Sequence, residues 1–102
     1  MNAIEALTTR SSMPRLKGPA PDAAVLDKLF RSALRAADHG LMRPWRFLTI
    51  EGEALKRLGD LFASAAQSDQ PGISAMDLEK ARKKPLRAPL IVVTISSPRE
   101  KP

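Results

Sequence analysis

The chain has 102 residues, with 17 Lys and Arg against 11 Asp and Glu for a formal net charge of +6. This length allows one domain at most, near the marginal end of surface-to-volume ratio. The charge favours anionic partners such as phosphates or nucleic acid without choosing between them, whereas the lack of cysteine excludes disulfides, thiolate metal sites and a Cys nucleophile, and a single histidine argues against a metal site.

The N-terminus, Met1-Asn2-Ala3-Ile4-Glu5, has no basic segment followed by an apolar core, and the longest apolar run, Leu90-Ile91-Val92-Val93, is far too short to span a bilayer. A cytoplasmic protein is the expectation. Asn2 with Glu5 three positions on fits a capping box and opens a short helix through Thr9. Thr8 and Thr9, followed by Arg10-Ser11-Ser12, end it, because hydroxyl side chains compete for local backbone groups. Arg10, Ser11 and Ser12 are thereby placed on a loop at a helix end. One guanidinium, two hydroxyls and nearby amides suit an anion, since Arg offers a forked pair of donors to phosphate; the same residues would equally make a solvated Ser-rich turn.

Met13 to Pro21 holds three prolines and a glycine and predicts an extended strap, on which Arg15 could point at the same anion as Arg10. Asp22 caps a helix predicted from Ala23 to Ala37, with Leu26, Leu29, Phe30, Ala33, Leu34 and Ala37 as one apolar stripe and Arg31 and Arg35 at its far end. His39, four residues after Arg35, shares a side with it if the helix persists that far, and Gly40 punctuates the end. Asp38 and His39 without a nucleophile make no hydrolytic triad.

Trp45-Arg46-Phe47-Leu48-Thr49-Ile50 predicts a strand covered on both faces, and Glu51-Gly52-Glu53 a turn. A helix from Glu53 to Ala66 follows, with Leu55, Leu58, Phe62 and Ala65 as its buried stripe, then a polar loop from Ser68 to Gly72. Ser74 caps a further helix to Lys84. The basic cluster Lys80, Arg82, Lys83, Lys84 and Arg87 has no interleaved aromatics, so it is expected to be a solvated face. Ala88-Pro89 leads into a β-branched strand from Leu90. Two strands are too few for a self-sufficient sheet. Only Pro98 to Pro102 follow the last strand, so the chain is expected to be part of a longer product.

The ordered set of pieces, an Arg-x-Ser loop after a short first helix, a Pro-containing strap, Arg35-Ala36-Ala37-Asp38-His39, a Pro44-Trp45-Arg46-Phe47 strand entry and Arg87-Ala88-Pro89-Leu90-Ile91-Val92, resembles the N-terminal half of the FMN-dependent nitroreductase family. The likeness runs over essentially the whole chain and is strongest to the family's small NAD(P)H nitroreductase branch. It implies an α+β fold, a mixed sheet flanked by helices of which residues 1–102 are an N-terminal portion, and a homodimer with FMN at the subunit interface. It also implies hydride passing from NAD(P)H through the flavin to a nitroaromatic, quinone or similar acceptor. On this reading Arg10, Ser11 and Ser12 line the FMN phosphate and ribityl chain, Arg35 and His39 reach FMN held mainly by the partner subunit, and Trp45 and Phe47 pack behind that corner. No side chain serves as a catalytic acid or base, because the cofactor carries the redox chemistry. Ser11 stands where the branch often has a second Arg, Arg43 where Gln is usual and Ala37 where close relatives have Pro. Alone, the 102 residues are expected to retain FMN weakly or not at all. The alternative, resting on charge alone, is a small basic module for nucleic acid or protein.

Overall fold

The computed structural model describes residues 1–36 and 45–97. Helix α1 spans Ala3–Thr9 and α2 spans Ala23–Ala33; strand β1 is Trp45–Glu51; α3 is Glu53–Asp69 and α4 is Ala75–Lys83; a 3-10 turn at Lys84–Arg87 precedes β2, Leu90–Ser96. The arrangement is α+β. The two strands pair antiparallel, with Trp45 opposite Ser96, Leu48 opposite Val93 and Glu51 opposite Leu90.

Three of the four helices start as the sequence predicts. Asn2 Oδ1 accepts the Glu5 N–H at 2.9 Å, Asp22 Oδ1 accepts the Val25 N–H at 2.9 Å, and Ser74 Oγ accepts the Asp77 N–H at 3.1 Å. Each bond satisfies an amide that the first helical turn cannot. Helix α3 starts instead from Gly52, whose φ of 61° turns the chain out of β1 without the clash a Cβ would bring.

Helix α2 is shorter than expected. It ends at Ala33, after which the Arg35 N–H donates to the Ser32 carbonyl at 3.2 Å and the Ala36 N–H to the Ala33 carbonyl at 3.1 Å, i to i+3 bonds that tighten the last turn. Helix α3 is longer, taking in Ser68 and Asp69 from the predicted loop.

The buried face of α3 also differs. Leu55, Gly59 and Ala63 are buried, with Leu58 half-buried, while Phe62 and Ala65 from the expected stripe are exposed. The cause is steric. At Gly59 a Cβ would collide with the Arg82 carbonyl on α4, so the small residues of α3 face that helix. Pro85, in the 3-10 turn that also packs on α3, completes the buried set.

The register places Trp45, Phe47, Leu90 and Val92 on one face of the sheet and Leu48, Ile50, Ile91, Val93 and Ile95 on the other. Helix α3 packs against β1, and α2 meets the first face through Phe30, whose ring stacks on Phe47 with centroids 5.3 Å apart and planes at 26°. Coverage on both faces, expected of β1, is partial: Leu48 is 51% exposed and Val92 40%. Two strands and the neighbouring helices present too little surface to close both faces.

The N-terminal segment stands off this body. Ile4 and Leu7 on α1 are 69% and 70% exposed. The radius of gyration is 17.4 Å, against about 13 Å for a compact domain of similar length. The strap from Met13 is tied back at one point, where the Leu16 N–H donates to the Arg87 carbonyl at 2.6 Å.

Candidate functional site

The loop after α1 is built by its own residues. The Thr8 hydroxyl donates to the Ile4 carbonyl at 2.7 Å and the Thr9 hydroxyl to the Glu5 carbonyl, which spends both side chains on the last helical turn. Arg10 then leaves the helix in an extended conformation, φ −61° and ψ 146°. Its Nη2 donates to Ser12 Oγ at 3.0 Å, so the guanidinium is turned toward the second serine. Arg10, Ser11 and Ser12 are all exposed.

This geometry has a chemical consequence. Ser12 accepts from Arg10 with its oxygen, which leaves its O–H free to donate outward beside the remaining guanidinium donors. A cation and hydroxyl donors side by side suit a phosphate dianion. The donor set therefore fits a phosphate group.

Arg35 lies two residues beyond the end of α2, in the contracted turn, and is exposed. The helical spacing that would have set it above His39 is already broken at this point. His39, with Asp38, Gly40, Arg43 and Pro44, lies outside the described residues. Among the described residues no hydrogen bond or ion pair joins Arg35 to the Arg10–Ser12 loop, and neither guanidinium has a carboxylate within ion-pair distance.

Phe47 is a packing residue, as its stack on Phe30 shows. Trp45 is half-buried, and its indole Nε1–H is buried with no acceptor among the described residues. A buried donor without a partner costs about 1–3 kcal/mol, and among the described residues this one hydrogen bond is unmet.

Arg15 takes a different position from the one expected. It lines an open cleft of about 660 Å³ together with Leu16, Lys17, Lys80, Lys83, Leu86 and Arg87, a set that includes none of Arg10, Ser11, Ser12 or Arg35. Part of the basic cluster, solvent-exposed as expected, therefore also lines a concavity. The spacing of Lys80, Lys83 and Arg87, at successive turns, was the signal in the sequence; the strap that closes the other side gave none. Arg82 points elsewhere. It binds Asp60 at 2.6 Å and Glu79 at 3.4 Å, and the hydrogen bond to Asp60 above all holds the guanidinium more firmly in its charged form.

Residues 7–101 match the sequence profile described as the Nitroreductase family. The chain is 41% identical over 99 residues to the Escherichia coli K12 protein named "Putative NAD(P)H nitroreductase YdjA", covering 94% of this chain and 51% of that protein. It is 36% identical over 96 residues to the Haemophilus influenzae Rd protein named "Putative NAD(P)H nitroreductase", with the same coverage, 94% and 51%. The chain spans about half the length of the curated relatives it matches.

Proposed function

The chain belongs to the nitroreductase family, and from that premise we propose that it is the N-terminal portion of an FMN-dependent oxidoreductase domain that draws on NAD(P)H. The observation that carries the proposal is the Arg10 to Ser12 pair at 3.0 Å on an exposed loop. It sets a cation and a hydroxyl side by side, a donor pair suited to phosphate.

In this reading Arg10 grips the FMN phosphate with the guanidinium donors that Ser12 does not use. Ser12 donates its hydroxyl proton to the same phosphate, and Ser11 donates to the phosphate or the ribityl chain. Bound there, FMN supplies the redox chemistry, accepting hydride from NAD(P)H and yielding it to a nitroaromatic, a quinone or a similar electron-poor acceptor.

Arg35 and His39 act from the other side. They belong to a homodimer in which each chain reaches the flavin held mainly by its partner, and an exposed Arg35 suits that role. Phe47 and Phe30 keep the strand entry in place behind this corner. The cytoplasmic location expected from the sequence belongs to the same reading; among the described residues no helix is long and apolar enough to cross a membrane.

The test is spectroscopic. With FMN present, the protein expressed from its native reading frame should oxidise NADH or NADPH in step with reduction of a nitroaromatic or quinone. Nicotinamide oxidation no faster than with free FMN would refute the proposal.

A further inference from the structure

We propose that the cleft between the strap and α4 binds a small polyphosphate anion of nucleotide size. Five cationic side chains line it: Arg15 and Lys17 from the strap, Lys80 and Lys83 from α4, and Arg87 from the 3-10 turn. All five are exposed, and among the described residues none has a carboxylate within ion-pair distance. The carboxylate of Glu79, on α4 beside Lys80, is engaged by Arg82.

The convergence is built by the fold. The strap and α4 lie far apart in sequence and meet because the Leu16 N–H donates to the Arg87 carbonyl at 2.6 Å. That bond sets Arg15 and Lys17 across from the helix face bearing Lys80 and Lys83. Five like charges held around one concavity repel one another and raise the local concentration of anions.

Size and lining select the class of ligand. About 660 Å³ lies in the range of small-molecule sites, roughly 300–1,000 Å³, and exceeds what a single phosphate needs. Arg15 and Arg87 offer forked donors and the three lysines offer point charges, a mixture suited to several phosphate groups in sequence. Leu16 and Leu86 provide an apolar patch beside the charge. Among the described residues no aromatic lines the cleft, which leaves it without the stacking platform that single-stranded nucleic acid uses. The assignment does not depend on the flavin reading, since the Arg10 to Ser12 loop is not part of the cleft.

Inorganic pyrophosphate and adenosine diphosphate, titrated calorimetrically at low ionic strength, test it, with a single-stranded oligonucleotide as the comparison ligand. Both small anions should bind in the cleft. Lys80→Glu with Lys83→Glu should weaken them at least about tenfold, as expected for losing charged hydrogen bonds, and Lys56→Glu, which lies outside the cleft, should leave them unchanged. A second variant, Lys80→Gln with Lys83→Gln, together with an unaltered circular dichroism spectrum, separates loss of charge from misfolding. The proposal is overturned if pyrophosphate gives no binding at millimolar concentration, if the double variants bind as well as the parent, or if only the oligonucleotide binds.

Discussion

Gly59 of α3 lies directly against the backbone carbonyl of Arg82 on α4, so closely that a methyl group at position 59 would overlap it. Two opposing effects act on Gly59→Ala. Alanine is the better helix former by about 1 kcal/mol, but overpacking a close contact costs about 1–3 kcal/mol, and here the obstacle is backbone, which cannot swing aside. A net loss of about 1–2 kcal/mol in urea unfolding is therefore expected. Equal or greater stability would mean that the two helices do not cross at this glycine.

A second prediction concerns the ion pair across the same crossing. Asp60 and Glu79 both bind Arg82, but the side chains are well exposed. Asp60→Asn should cause only a small loss of stability, and molar salt should abolish the difference. The sign with pH follows from the direction of the shift. A cation whose pKa is raised on folding contributes fully below its unfolded value and loses that contribution only as pH climbs through the folded one. For a guanidinium both lie above ordinary working conditions, so raising the pH from neutral to mildly alkaline should leave the Arg82 contribution intact. A loss of the parent-to-variant difference in that range would contradict it.

The third concerns the hold on α2. Phe30 stacks on Phe47, while Val25 and Leu29 on the same helix are 45% and 54% exposed. Phe30→Ala should therefore release α2 locally. Amide hydrogen exchange should quicken across Ala23–Ala33 and stay unchanged across α3 and α4. Uniform acceleration throughout the chain would show that the stack supports the whole body.

These contrasts also explain what could be read from the sequence. The caps at Asn2, Asp22 and Ser74 were legible because each is a bond between residues three apart, decided before any packing occurs. The exposed loop at Arg10, Ser11 and Ser12 was legible from the hydroxyl residues that end α1, whereas the bond from Arg10 to Ser12 was not foreseen. The buried face of α3 was not, since the role of Gly59 is set by Arg82 on another helix. Periodicity favoured the large residue Phe62, whereas close approach favoured the small ones. The end of α2 was misplaced because Ala36 and Ala37 suit a helix well, yet the backbone after Ala33 tightens into i to i+3 bonds. The cationic cleft needed the strap to return to Arg87, a pairing with no local signal. Arg35 could be placed, and His39 lies outside the described residues.

The central claim is that the loop after α1 holds the phosphate of a flavin. The direct measurement is an FMN titration, followed by flavin fluorescence, of the protein expressed from its native reading frame and of its Arg10→Ala variant. Losing a charged hydrogen bond should cost about 1.5–3 kcal/mol of FMN affinity, roughly a ten- to hundredfold rise in Kd, with riboflavin, which lacks the phosphate, binding both proteins alike. An Arg10→Ala variant that binds FMN as tightly as the parent would contradict the account.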